Sequence, residues 1–198
     1  GSTKRNLLKF TKNRNVILSH PIAGSEVSGP NYGDKELFNK KWCIVINKGE
    51  KKKINLVKKF WKKNGSKVVV MNAIEHDKIF AITSHLPHLI AYNLIKTAQD
   101  FQKMQKRNLI KYSAGGLRDF SRTAASNEIM WRDIFFSNKD NMISSIDKFI
   151  QNLNLIKKNI KNQKDRELKK ILINSKKVRK QIIVSKQDVS KPNFGRDI

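Results

Sequence analysis

A chain of 198 residues is long enough for one large domain or two small ones with a real core. Its 42 Lys and Arg against 16 Asp and Glu leave a net charge of +26 and a pI near 10.3, a field that attracts anions from phosphate polymers to small polyanionic substrates. The one cysteine, Cys43, excludes an internal disulfide, and no apolar run approaches the ~20 residues of a membrane span, so a reduced, cytoplasmic protein without membrane contact is expected.

The chain opens on GSTKRNLLKF, basic and helix-like, without the apolar core or cleavage site of a signal peptide. Its abrupt start leads us to expect a part of something longer. NVILS, Asn15 to Ser19, is β-branched and apolar and predicts a buried strand that empties into the Gly/Pro/Ser-rich loop HPIAGSEVSGPNYG. Further strands are predicted at Trp42 to Asn47 and Lys67 to Met71. Between them Ile54, Val57, Phe60 and Trp61 recur at helical intervals over Lys53 to Asn64, and Gly65 stands where a C-cap belongs. From Glu75 onward the periodicity is helical throughout: 75–105, 117–138, 140–161 and a basic amphipathic helix over 164–185. The fold class expected is mainly α, with α/β strands in residues 1–73 followed by an all-helical domain in 74–198.

Three polar constellations stand out. In ITSHLPHLIA, Ser84 and His88 share a helical face, His85 lies about 100° round from Ser84, and Pro87 is expected to kink the helix at a cost of ~3 kcal/mol. A kinked core helix with satisfied histidines is the plain alternative, weakened by two His, a Ser and a Pro within five positions. In GGLRDFSRTAASNEIMWRD, Arg118, Arg122 and Ser126 follow at i+4 spacing, with Asp119 three before Arg122. Only nine of the basic residues are Arg, and three of those fall between Arg118 and Arg132, which favours a specific anion contact over a solvated face. In HPIAGSE, His20 sits at the end of a predicted strand, where α/β sheets place ligands, with Ser25 and Glu26 beside it. Its ordinary pKa of about 6.5 would let it accept a proton at neutral pH. Four His and one Cys show no recognised ligand spacing, so no metal is expected.

HPIAGSEVSG, SHLPH and GGLRDFSR…MWRD, in that order, resemble the prephenate dehydrogenase family, which includes arogenate and cyclohexadienyl dehydrogenases. The likeness extends to the tail SKQDVSKPNFGR, which looks like the ending of one subgroup. The resemblance implies oxidation of prephenate or arogenate in tyrosine biosynthesis, with a hydride passing to NAD or NADP and loss of carbon dioxide. By the same likeness, His20 would take the proton of the ring hydroxyl, Arg122 would clamp a substrate carboxylate, and His88 would face the same pocket. Ser25, Glu26, Ser84 and His85 would line that pocket, and Ser2 would approach both substrate and nicotinamide. Arg118, Asp119 and Trp131 would stand at its edge, some of them offered across a homodimer built by the helical domain.

The family's G-x-G-x-x-G fingerprint is absent; Gly24, Gly29 and Gly33 have the wrong spacing and lie beyond the His20 loop. The expectation is a chain lacking most of the nucleotide-binding domain, inactive in isolation, with no regulatory domain after Ile198. The alternative, a basic nucleic-acid-binding helical module, rests on charge alone, since no nucleic-acid-binding motif accompanies it. No nucleic-acid partner is therefore expected.

Overall fold

The computed structural model describes residues 4–10, 15–24, 31, 33–106, 108 and 110–185. These form two compact units, residues 1–146 and 147–198, so the boundary expected at 73 falls inside the first unit.

In the first unit, helix α1 (Lys4–Phe10) precedes strand β1 (Ser19–Pro21), and β2 (Trp42–Ile46), α2 (Lys51–Lys63) and β3 (Lys67–Met71) follow. The sheet order is β1-β2-β3, with β1 antiparallel and β3 parallel to the central β2. The central position explains the unbroken run WCIVI: Cys43 to Ile46 are all buried. The strand expected at 15–19 is displaced. Val16 is 42% exposed, while pairing runs from the Leu18 carbonyl, which accepts from Ile46 N, to Ile22 N, which donates to Trp42 O. Pro21 is tolerated because β1 is an edge strand. His20 therefore pairs with Ile44 in an antiparallel edge strand, rather than ending a parallel one. Helix α2 ends as expected, with Gly65 in the left-handed region at φ +81°.

Helices α3 (Ala73–Phe80) and α4 (Leu86–Gln105) are joined by a π-helical turn over Ala81–His85. The kink expected at Pro87 thus takes another form. The π turn carries the chain into a new register in which Pro87 falls in the first turn of α4, where a missing N–H costs little. The helix expected over 117–138 is two: α5 (Gly115–Ala124) and α6 (Glu128–Ser137), because the Asn127 side chain accepts from Met130 N and caps a new start. Ser126 consequently leaves the arginine stripe, and its carbonyl accepts from the Tyr92 hydroxyl. Helix α7 (Lys139–Lys161) continues into the second unit, which α8 (Asp165–Val184) completes. None of the described helices is long and apolar enough to cross a membrane.

The core joins Ile44 and Ile46 of β2 to Ala73 and Phe80 of α3, with Leu8, Leu18, Val69 and Met71 packed around them. One buried polar group organises its edge. Asp77 Oδ1 accepts from Lys4 N at 2.8 Å and Oδ2 from Arg5 N at 2.9 Å, so a side chain of α3 satisfies the opening amides of α1. Burial pushes the Asp77 carboxyl up, but the hydrogen bonds from His76, Arg5 and Lys4 together outweigh it and hold the group below its ordinary value. Asp77→Ala should cost about 1–3 kcal/mol of stability in denaturant titrations at neutral pH. A carboxyl depressed on folding stabilises fully above its unfolded value of 3.8 and loses that contribution as pH falls through the lower folded value. The gap between wild type and variant should therefore close on acidification below about pH 4.

Candidate active site

All four histidines of the chain gather around α3 and the π turn. His20 Nδ1 lies 2.8 Å from His76 Nε2, and His76 Nδ1 lies 2.8 Å from Asp77 Oδ1. The rings of His20, His76 and Phe80 pack on one another, with centroids 4.6 to 5.0 Å apart. On the far side of Asp77, Asn138 Nδ2 donates to the Asp77 carbonyl at 2.9 Å and to His85 Nδ1 at 3.2 Å. The Asn138 Oδ1 atom accepts from Asn141 Nδ2, which fixes the orientation of the amide. His85 meets Trp131 edge-on, and Trp131 stacks on His88 at 3.7 Å between centroids. Trp131 Nε1 is buried without a hydrogen-bond partner among the described residues.

Electrostatics follow from burial. Desolvation pushes His20 down to about 3, helped by the positive charge of the buried Lys4. The ordinary value assumed from sequence therefore does not hold: in the ligand-free fold His20 is a neutral imidazole that charges only with help. Desolvation likewise lowers His85 to about 4 and holds His88 below its ordinary value, although the Ser84 carbonyl, which accepts from His88 Nδ1 at 2.9 Å, pulls the latter back up. At neutral pH His88 is thus no permanent cation.

The structure brings some of the expected site residues together and separates others. His20, His88, Ser84 and Trp131 surround the π turn. His85, expected in the lining, is 2% exposed with Nδ1 taken by Asn138, so it supports the wall from behind. Arg118 and Arg122 stay at the surface on α5, which packs along α4, and Asp119 is half-buried beside them. Ser2, Ser25, Glu26 and the tail beyond Ser185 lie outside the described residues. Sequence reading passed over His76, Asp77 and Asn138. The adjacent His-Asp pair at the head of α3, just after a strand end, was the available signal for the first two.

A cleft of about 700 Å³ opens where β2 and β3 end, lined by Arg5, Lys9, Ile46, Lys48, Asn72 and Ala73. Its cations suit a phosphate-bearing group, yet these residues form only a rim, and among the described residues no glycine-rich turn supplies a pyrophosphate cradle.

The family model for the dimerization domain of prephenate dehydrogenase matches residues 72–174, and the model for the nucleotide-binding domain of that enzyme matches residues 1–70. The chain belongs to the prephenate dehydrogenase family. Cyclohexadienyl dehydrogenase of Zymomonas mobilis is 34% identical over 169 residues, covering 82% of this chain and 58% of the relative. Prephenate dehydrogenase of Bacillus subtilis is 30% identical, covering 79% and 44% respectively. The chain thus spans about half the length of the curated relatives it matches. Among solved structures, prephenate dehydrogenase from A. aeolicus in complex with hydroxyphenyl propionate and NAD+ is 37% identical with a TM-score of 0.86, over 92% of this chain and 65% of that one. Arogenate dehydrogenase of Synechocystis, at 21% identity and a TM-score of 0.78 over 91% of this chain and 67% of its own, shares the fold.

For this dehydrogenase-family chain, Asn138 is the joint between the two halves of the histidine cluster. Asn138→Leu leaves the buried His85 Nδ1 without its donor and the Asp77 carbonyl with Ala81 N alone, and should cost about 1–3 kcal/mol in chemical denaturation. An unchanged midpoint would show that water replaces the amide.

Proposed function

We propose that the whole protein oxidises prephenate or arogenate in the cytoplasm with NAD or NADP as hydride acceptor, in the formation of tyrosine, and that this chain supplies the substrate side of the site. The observation that supports this best is His20: a half-buried, neutral imidazole whose Nδ1 is engaged by His76, in the HPIAGSE segment of a chain of this family.

The chemistry suits the residues. Prephenate is a dianion, and Arg122, with Arg118 beside it on α5, offers a rigid fork for a carboxylate. His88, stacked on Trp131, and Ser84 form the wall opposite. His20 accepts the ring hydroxyl proton, and a nicotinamide, when bound, would supply the acceptor for the carbon-bound hydride. Loss of carbon dioxide then returns an electron pair to the ring, and the proton goes back to the oxygen of the phenol. A bound anion and the developing charge raise the basicity of His20 from its low value in the empty site. Aromatisation provides the driving force, so the protein mainly positions the reactants and moves one proton. Ser2, Ser25, Glu26 and Asp119 complete the lining in this reading, and Ser2 also approaches the nicotinamide.

A division into a nucleotide-binding part, 1–73, and a helical substrate and dimerisation part, 74–198, agrees with the family-model limits at 70 and 72. A homodimer through the helical part is supported by apolar side chains left about half exposed on α7 and α8, among them Leu153, Leu155, Leu172 and Ile173. The +26 charge is carried by lysines along the surfaces of helices, and no nucleic-acid partner is proposed.

Three measurements test this. Hydroxyphenyl propionate titrated into the chain in a calorimeter should bind saturably, and Arg122→Ala should weaken binding about tenfold or more, as loss of a charged hydrogen-bonding pair does. In a protein carrying the complete nucleotide-binding half, His20→Asn should lower kcat about a hundredfold with little change in KM. Binding that ignores Arg122, or turnover that ignores His20, would reverse the assigned roles. Light scattering at micromolar concentration should report a dimer.

A further inference from the structure

We propose that His76 and Asp77 are positioning residues that hold His20 in the tautomer with a bare Nε2 and receive the second proton of its ring when Nε2 becomes protonated; the inference rests on the dehydrogenase reading of His20.

The argument is one of donors and acceptors along a fixed line. Asp77 Oδ1 and Oδ2 accept from the amides of Lys4 and Arg5, and the carboxyl is anionic, so it has no proton to give His76. His76 Nδ1 must therefore be the donor in its 2.8 Å contact with Oδ1. With its ring proton on Nδ1, the His76 tautomer presents a lone pair at Nε2. The 2.8 Å contact with His20 requires one proton between two ring nitrogens, so His20 Nδ1 supplies it. His20 is left with an unprotonated Nε2, the form a general base needs. Free imidazole would sample both tautomers; here the carboxylate chooses, two rings away. His76 is 0% exposed and held between the rings of His20 and Phe80, so the line has little room to reorganise.

The same line manages the charge. When the substrate hydroxyl proton reaches His20 Nε2, the Nδ1 proton can pass to His76 Nε2. The imidazolium then sits on His76 against the Asp77 carboxylate, and the sequence runs backward when the phenol oxygen reclaims its proton. No net proton is gained or lost. Other charged and titratable groups face the line from every side. Lys4 and Arg5 approach from α1, the Cys43 thiol lies beneath on β2, and His85 bonds to the Asn138 amide behind Asp77. Burial and the positive charge of Lys4 disfavour charge on His20, which makes transfer toward Asp77 the favourable direction. The opposite arrangement would have His76 donating at both nitrogens. His20 Nδ1 would then have to accept, and Nε2 would carry hydrogen and lose its function as a base.

Isotope-labelled histidine nitrogens, observed by NMR in this chain at neutral pH, report the tautomer without any turnover. The expected result is a pyridine-like, unprotonated His20 Nε2, with pyrrole-like Nδ1 on both His20 and His76. A protonated Nε2 on His20 would overturn the proposal. In the protein with its complete nucleotide-binding half, His76→Phe keeps the ring packing and removes the acceptor. It should lower kcat about tenfold or more with KM within about twofold, and shift the acid limb of the kcat profile. His76→Gln, whose carbonyl oxygen can accept from Nδ1, should recover part of the loss. Should His76→Phe fold poorly, the tautomer in the unaltered chain decides. Unchanged kcat and an unchanged acid limb in a folded His76→Phe would overturn the relay. A complete protein inactive toward both prephenate and arogenate would instead overturn the dehydrogenase reading, a failure the tautomer measurement keeps separate.

Discussion

The buried carboxylate of Asp77 is the constraint on which the rest of this site depends. An ionised group at 3% exposure is tolerable only if its lone pairs are filled, and here two backbone amides of α1 and the ring of His76 fill them. Each partner comes from a different consideration of folding. The amides of α1 need an acceptor because they open a helix, His76 needs one because it is fully buried, and the Asp77 carbonyl, which already accepts from Ala81 N, takes the Asn138 amide as a second donor. Satisfying one group therefore places α1 and α3, and brings the junction of α6 and α7 against them. Through His76 the same carboxylate reaches the edge strand that carries His20, so a requirement of stability and the geometry of a candidate base are one arrangement.

The π turn is the second device. An uninterrupted α-helix from 73 to 105 would place the proline ring against a carbonyl one turn back and would leave an unfilled hydrogen bond. One extra residue in the turn lets Leu86 N donate to Ala81 O and starts α4 afresh, with Pro87 in its first turn. His85 and His88 are then held by different neighbours, His85 by the Asn138 amide and His88 by the Trp131 face. Burial lowers the affinity of both for protons.

Much of this was legible in the chain, and the misses have physical causes. The strands WCIVI and KVVVM and the helix closed by Gly65 follow from local periodicity and cap chemistry, and they stand within a residue or two of their expected bounds. The strand at 15–19 moved because register is set by pairing with β2, which no local pattern encodes. The break at Asn127 had a local signal, an Asn followed by an acidic residue at a helix start, that a continuous apolar stripe obscured. His20, His88 and Arg122 were found because polar residues in apolar or glycine-rich settings are conspicuous, and a resemblance then gave them roles. His76, Asp77 and Asn138 were missed because their meaning lies in partners 56, 73 and 61 positions away. The basicity of His20 was misjudged for the same reason: burial beside Lys4 is a property of the assembled fold.

The net charge of +26, which first suggested an anion, is in the end a weak guide, since most of it is spread over lysines on exposed helical faces. The sharper statement is that His20 on its edge strand, His88 stacked on Trp131 and the two arginines of α5 are the groups that the proposed function would bring to one small anionic ligand. The most direct measurement is a crystal structure of the chain, joined to its complete nucleotide-binding half, with hydroxyphenyl propionate bound. The account expects the phenolic oxygen about 3 Å from His20 Nε2, Nδ1 still engaged with His76, and the carboxylate on Arg122. A ligand bound away from His20, or approached by Nδ1 with His76 disengaged, would contradict it.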